Sequence, residues 1–287
     1  MKTEQVKINR LPKSEVEILL SIPWEEIKKT YAEIVAETTK TAQVQGFRRG
    51  KAPKKLVEEK LDKNKIYSQA IQKIIPQYYE EVIKNNNLNP IISPKISLTK
   101  SAEGENWEIK ILTCEKPKIE LGNFKEDLKK DLKTEDIWLP GKAANQPSKD
   151  EKVLKEEKNQ KIIQWLLAHL QVEISDLLLE EDINRRLANL IDQTAHLGLS
   201  VEQYLNSTGK TADQLKQEYR QQANETWKLE LILNEISEKE KIVVEPSEIE
   251  AVIQKAPDEE KKLLESQKYV LASLLRRQKT LDFLTNL

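Results

Sequence analysis

The chain has 287 residues, a third of them charged, and its formal net charge is −1. Because the whole chain is nearly neutral, electrostatic attraction to a partner must come from a local cluster of charge rather than from the molecule as a polyelectrolyte. Aromatic residues make up only 5% and there are seven glycines, a composition that favours long exposed helices over a β-rich globule.

The first predicted elements are a strand pair and a helix. Apolar residues alternate from Val16 to Ile22, which predicts a half-buried strand, and the break at residues 11–14 predicts a hairpin with the preceding segment. The period then changes. From about residue 24 to residue 41 apolar side chains recur at helical spacing, with Pro23 suited to the first turn.

Two helices and two strands follow a short basic stretch. Pro53 is expected to open a short helix that ends near Leu61. A longer helix should run to about Asn86, with a kink or local adjustment at Pro76. Residues 91–100 and 106–121 are strand candidates separated by a turn at Gly104. Residues 1–115 are therefore predicted to form a compact α+β unit.

The second half of the chain has a different pattern. Residues 139–150 contain two prolines, a glycine and small polar residues, which is typical of a linker. Nearly everything from residue 151 onward has helical spacing. Capping-box patterns predict two helix starts, and two glycines stand where helix C-caps are expected; these residues are Ser200 with Gln203, Thr211 with Gln214, Gly198 and Gly209.

The stretch Val44–Pro53 is the strongest candidate for a functional site. Five cations and no acid lie between Arg48 and Lys55, and Phe47 stands between two glycines. A nucleotide-binding loop is excluded, because only three residues separate these glycines and Ala52 replaces the required hydroxyl. A solvated loop that merely joins two helices remains an alternative. Against it, an exposed aromatic flanked by arginines is typical of a binding hot spot, and arginines pair bidentately with phosphates or carboxylates.

The segment GFRRGKAP is similar to the ribosome-docking signature of trigger factor, Gly-Phe-Arg-x-Gly-Lys-x-Pro, with every fixed position present. Trigger factor is a bacterial chaperone that acts where nascent chains leave the ribosome. NPIISPKISL, LSVEQYLNSTGKTADQLKQEYR and LILNEISEKEKIVVEPSEIEAVI also resemble this family. The resemblance implies that three residues dock on the ribosome, namely Phe47, Arg48 and Arg49. It also implies that four residues shape the tip, namely Gly46, Gly50, Lys51 and Pro53.

The resemblance also implies the partners and the domain plan. The tip would meet ribosomal RNA phosphates and an acidic ribosomal protein surface near the exit, and helical arms of an elongated all-α C-terminal domain would hold nascent or unfolded polypeptides. We expect a ribosome-binding α+β domain over residues 1–115, a connecting segment and linker over 116–150, and a helical client-binding domain over 151–287, with part of 116–138 packed onto it. A weak homo-oligomer of the free protein is left open.

One departure from the family concerns catalysis. Trigger factors usually carry a prolyl isomerase domain between these halves, and here only the linker stands in that place. We therefore expect an ATP-independent chaperone that is not an enzyme. The alternative is a ribosome-associated scaffold that uses the same dock to hold one folded partner.

Other chemistry is not indicated by the sequence. His169 and His196 lie in separate helical patterns, which is typical of packing or surface residues, and Cys114 in a strand pattern is expected to be a buried structural thiol. Neither HExxH nor CxxC occurs, so no metal or cofactor is expected. A single cysteine and the lack of an apolar run near the ~20 residues of a membrane helix favour a cytoplasmic protein without a membrane span.

Overall fold

The structure is a computed structural model that describes residues 6–43, 47–50, 53–135 and 151–287. The chain divides into two compact units, Met1–Lys116 and Pro117–Leu287. The elements of the first unit, in chain order, are β1 Val6–Arg10, β2 Glu15–Ile22, α1 Trp24–Thr41, α2 Lys54–Lys60, α3 Lys63–Asn85, β3 Lys95–Lys100 and β4 Trp107–Cys114.

The four strands form one antiparallel sheet in the order β1-β2-β4-β3. The alternation predicted for β2 is confirmed, because every second side chain from Val16 to Ile22 is buried. In the register, Ile18 lies between Ile8 of β1 and Ile111 of β4. Helices α1 and α3 contribute Ile27, Ile74, Ile75 and Val82 to the same core, so the helices cover one face of the sheet, and the other face carries mostly polar side chains with Leu19 and Leu112 among them.

The predicted helix bounds agree closely with the structure. Helix α1 spans the predicted residues, and α2 begins directly after Pro53. Helix α3 continues through Pro76 without interruption. Gly104 has φ +88° in the turn between β3 and β4, as the sequence predicts.

Strand β3 is an edge of the sheet and is less buried than its sequence suggests. Ile96 and Leu98 lie opposite the buried Ile111 and Ile109, yet each remains 45% exposed. An edge strand has a neighbour on one side only, so residues on its core-facing side can extend beyond the covering helices.

The second unit is helical in its described part. Its elements are α4 Phe124–Glu135, α5 Glu151–His169, α6 Asp176–His196, α7 Val201–Thr208, α8 Ala212–Lys239, α9 Pro246–Lys255, α10 Asp258–Ser266 and α11 Lys268–Thr285. This agrees with the predicted all-α second half. Both predicted capping boxes are present, at the starts of α7 and α8. Gly209 is the left-handed C-cap of α7, and Gly198 follows the C-cap residue of α6 with φ +71°.

Helix α4 belongs to the second unit by its contacts. Phe124 and Leu128 are buried, and the ammonium of Lys125 lies 2.5 Å from the Glu240 carboxylate at the end of α8. The indole nitrogen of Trp165 in α5 donates a hydrogen bond to Asp131 in α4 at 2.7 Å. The chain before the predicted linker therefore packs with helices that follow it. Residues 139–150 themselves lie outside the described residues.

Candidate functional site

The candidate site is the tip between α1 and α2, for which residues 47–50 and 53 are described. Gly46 and Lys51, which the resemblance assigns to shaping the tip, lie outside the described residues. Phe47 is 42% exposed, and both arginines are exposed. An aromatic ring in water at the end of a loop is stabilised when a partner covers it, because burial of apolar surface lowers the free energy.

Arg49 and Gly50 connect the tip to the end of α1. The Nε of Arg49 donates a hydrogen bond to the Thr41 carbonyl at 3.2 Å, and the Gly50 amide donates to the Ala42 carbonyl at 3.0 Å. We call these two hydrogen bonds the tip clasp. They occupy carbonyls at the helix C-terminus that have no partner within the helix.

Glycine at position 50 is required by two features of the backbone. Its φ is +73°, a conformation that side chains with a Cβ rarely adopt. A Cβ at this position would also lie 2.4 Å from the Lys40 carbonyl oxygen, inside contact distance. The role of shaping the tip that the resemblance gives to Gly50 therefore has a direct physical reason here.

The other side of the tip is fixed by α2. Pro53 is the residue that precedes this helix, with φ −58° and ψ 138°, and its ring suits the start of a helix because no backbone N–H is needed there. Val57, one turn into α2, is 2% exposed and packs against Ala42 and Leu61. Ala42 therefore contacts both ends of the tip, through its carbonyl and through its side chain.

The structure separates the two arginines that the sequence treats as equivalent. Arg48 makes no hydrogen bond or ion pair with any other described residue, whereas Arg49 is bonded to α1. Phe47 and Arg48 together offer one apolar and one cationic group to a partner. Such a pair suits binding to an anionic surface with an apolar patch, and it supplies no nucleophile or base for catalysis.

The remaining titratable candidates do not form a second site. His169 stacks on Trp165, with ring centroids 4.4 Å apart, and its Nε2 lies 3.8 Å from the Asp131 carboxylate. His196 is exposed in the last turn of α6. Cys114 is fully buried, as predicted. In the described ranges, no three His, Cys, Asp or Glu residues are grouped so that they could hold a metal ion.

Sequence reasoning missed the exposed apolar side chains of the second unit. Leu197 and Leu199 are 76% and 44% exposed at the connection from α6 to α7, Ile191 is 53% exposed within α6, and Tyr269 is 88% exposed at the start of α11. Ile191 and Tyr269 lie in helices that also contain core residues, so the sequence alone cannot distinguish the exposed residues from the buried ones. A short loop of apolar residues, such as Leu197–Gly198–Leu199, is the one local signal that could have indicated exposure.

The fold and the tip define a protein with an α+β unit that presents an aromatic and basic tip, and a separate helical unit with exposed apolar side chains. Two family models match the chain: bacterial trigger factor protein over residues 4–137, and bacterial trigger factor protein C-terminus over residues 144–286. The chain belongs to the trigger factor family. Only residues 138–143 fall between the two matches, so the chain has no prolyl isomerase domain between its halves.

Individual relatives agree with this assignment. A trigger factor of Carboxydothermus hydrogenoformans is 22% identical over 413 aligned positions, which cover 96% of this chain and 97% of the relative. An alignment longer than this chain means that the relative contains residues with no counterpart here. Trigger factors of Lactiplantibacillus plantarum and Acetivibrio thermocellus are 29% and 30% identical, over alignments that cover 38% and 45% of this chain but only 25% and 33% of those proteins.

A solved trigger factor chaperone structure has the same fold. It superposes with a TM-score of 0.67 at 14% identity, covering 98% of this chain and 99% of that one. That protein is described as recognising substrates promiscuously in folding and assembly. Among the described residues of this chain, no helix is long and apolar enough to cross a membrane.

Proposed function

We propose that this chain is a ribosome-associated, ATP-independent chaperone of the cytoplasm that binds nascent or unfolded polypeptides and prevents their aggregation. One observation carries the proposal: Phe47 and Arg48 are exposed side by side in the described part of the tip, in a chain that matches trigger factor in both halves. The tip would dock near the nascent-chain exit, where RNA phosphates and acidic protein side chains offer partners for arginine.

The docking part of the proposal is tested by replacing the three predicted contact residues. The variant Phe47→Ala, Arg48→Ala, Arg49→Ala should lose ribosome co-sedimentation while its far-UV circular dichroism stays unchanged. The variant Lys28→Ala, Lys29→Ala is the control, because it removes two exposed charges from α1 of the same unit. Undiminished binding of the triple variant would contradict the docking assignment. Wild-type binding should also weaken steeply with added salt, since phosphate contacts release counterions.

The client-binding part rests on the exposed apolar side chains of the second unit. A holdase needs apolar surface that is broad and tolerant rather than one sharp pocket. Two groups of exposed apolar residues, each close together in the sequence, could supply such surface. The first consists of Ile191, Leu197 and Leu199, and the second of Leu263, Tyr269, Val270 and Leu274.

The wild-type chain should suppress the aggregation of several unrelated denatured proteins. Two double variants should suppress it less: Leu197→Ser with Leu199→Ser, and Tyr269→Ser with Val270→Ser. The control Lys216→Ser, Gln217→Ser changes exposed polar residues on α8. Exposed substitutions of this kind change stability by only about 0.5 kcal/mol, so a loss of suppression would report client contact. A scaffold for one folded partner would suppress no general aggregation, and that result would overturn the chaperone assignment.

We further propose that the chain is not an enzyme. With six residues between the two family matches there is no room for an isomerase domain in that place. In a refolding assay limited by proline isomerisation, the protein should leave the slow rate unchanged, and acceleration at enzyme-like efficiency would contradict the proposal.

A further inference from the structure

We propose that Arg49 positions the tip instead of contacting the ribosome, and that the direct docking contacts are made by Phe47 and Arg48. This inference rests on the proposed ribosome docking, but its structural half can be tested on the free protein. The two arginines of the motif would then have different roles, because Arg48 contacts the ribosome and Arg49 positions the tip.

The first observation is the direction of the Arg49 side chain. Its Nε donates to the carbonyl of Thr41, the last residue of α1, at 3.2 Å. The carbonyl groups at a helix C-terminus carry the negative end of the helix dipole, so a guanidinium is stabilised there. A charge used in this way is turned toward the protein and is less available to a partner.

The second observation is that the backbone of the next residue, Gly50, also contacts the end of α1. The Gly50 amide bonds to Ala42, the next residue after Thr41, at 3.0 Å. The backbone of Gly50 also lies so close to Lys40 that no Cβ fits between them. Three successive carbonyl groups, those of Lys40, Thr41 and Ala42, therefore face residues 49 and 50, and the tip is closed against the helix end at this point.

The third observation is the contrast with Arg48. Arg48 is exposed and makes no hydrogen bond or ion pair with another described residue, and Phe47 beside it is exposed as well. A tip that is already fixed loses less conformational freedom on binding, so its contact residues bind more tightly. The clasp would thus raise affinity through Phe47 and Arg48 without touching the partner.

The chemistry of the Arg49 contact permits a matched pair of substitutions. The donor is Nε, and the Nε2 of glutamine stands the same number of bonds from the backbone and also carries donor hydrogens. Methionine has similar length and no donor. R49Q and R49M therefore remove the same charge, and only R49Q keeps a donor that can bond to the Thr41 carbonyl. The same two substitutions at position 48, R48Q and R48M, serve as controls in which no such bond exists to be kept.

The experiment measures Gly50 amide exchange in the free full-length chain and ribosome affinity for the four variants. We expect R49Q to keep a near-wild-type exchange rate of the Gly50 amide and to bind ribosomes within about threefold of the wild-type affinity. In R49M the Gly50 amide should exchange about fivefold faster and ribosome affinity should fall about fivefold, because one neutral hydrogen bond contributes a free energy of that size. R48Q and R48M should each bind about tenfold more weakly, with Gly50 exchange unchanged.

Each contrary result has a distinct meaning. Equal losses of affinity in R49Q and R49M, with Gly50 exchange unchanged in both, would show that Arg49 contacts the ribosome through its charge and would overturn the inference. Equal Gly50 exchange in R49M and the wild type would overturn the clasp itself. If the wild-type chain does not bind ribosomes at all, the proposed function fails, and the exchange comparison still decides whether Arg49 holds the tip.

Discussion

At the scale of single residues, the positions with the strongest physical constraint are those where the backbone itself is restricted. Gly50 and Gly104 both have positive φ in the first unit, but only Gly50 lies against other atoms. A Cβ at Gly104 would meet nothing within 4 Å, and one at Gly50 would collide with the Lys40 carbonyl. Comparing an alanine substitution at each position therefore separates the cost of backbone strain from the cost of a steric collision.

We predict that G104A lowers the free energy of unfolding by about 1 kcal/mol, the usual cost of an alanine in the left-handed region. G50A should lower it further and should also weaken ribosome binding, because the tip must move away from α1 to admit the methyl group. Urea denaturation and co-sedimentation measure the two effects. Equal stability of the two variants, together with full binding by G50A, would refute the close approach.

Charge on the polar face of the sheet gives a second prediction for a single residue. The Glu17 carboxylate lies 2.5 Å from the Lys110 ammonium and accepts a hydrogen bond from Asn9 at 2.8 Å. The Lys110 hydrogen bond, followed by that of Asn9, lowers the pKa of Glu17 below its ordinary value of 4.5. A carboxylate with a lowered pKa stabilises the folded state at pH values above 4.5, and this contribution is lost as the pH falls through the lowered pKa.

E17Q should therefore unfold at a lower urea concentration than the wild type at pH 7, and the difference should shrink as the pH falls below about 4.5. E108Q is the control, because Glu108 is an exposed carboxylate on the same face of the sheet, opposite Ser21. A gap between E17Q and wild type that is constant from pH 7 to pH 3 would mean that the lost interaction is not the ionised pair.

At the scale of elements, the sequence predicts best where a local rule acts alone. The bounds of α1, the alternation of β2 and both capping boxes follow from periodicity and caps, and the structure has all of them. Burial that depends on a partner element was not predictable. Asp182 lies in a run of charges that resembles a solvated face, yet it is 3% exposed and is held by Arg185 and Arg186 on its own helix. The hydrogen bond from the exposed Arg49 to the Thr41 carbonyl could likewise not be predicted, because it depends on where α1 ends in space.

The capping box of α8 offers a test at this scale. The Thr211 hydroxyl accepts from the Gln214 amide at 3.2 Å, and the Gln214 side chain accepts from the Thr211 amide at 2.9 Å. T211A should lower the free energy of unfolding by about 1 kcal/mol and speed exchange of the Gln214 amide. S207A is the control, since that hydroxyl bonds back to Tyr204 within α7 and leaves no amide unpaired. No change in Gln214 exchange would show that the cap does not hold this helix end.

At the scale of the whole molecule, the chain is divided between Lys116 and Pro117, and each unit has its own buried residues. The first unit contains the four described strands and the described part of the tip, and the aromatic side chains of Trp24, Tyr67 and Trp107 pack together in it. These features are sufficient for a core without the second unit. We propose that docking and client binding are divided along the same boundary.

A fragment of residues 1–116 should therefore fold alone, bind ribosomes and fail to suppress aggregation, because the exposed apolar helices are missing. Its thermal unfolding, its co-sedimentation and its effect on denatured clients can be measured beside the full chain. An unfolded fragment, or one that protects clients as well as the full chain does, would contradict the division. In the full chain, limited proteolysis should cut first within residues 139–150, and α4 should stay attached to the second unit after the cut.

The packing of α4 also has a consequence for the order in which the protein is made. The ammonium of Lys125 lies 5.3 Å from the centre of the Phe283 ring, and Thr285 bonds to Asn159 at 2.7 Å. Partners so distant in sequence cannot meet until α11 has left the ribosome, whereas the first unit can close as soon as β4 has emerged. During its own synthesis this chain should therefore have a folded first unit while the second unit is incomplete, with α4 and α5 lacking these partners until α11 has emerged. For that interval the second unit is itself an unfolded polypeptide, the class of client that we propose this protein binds.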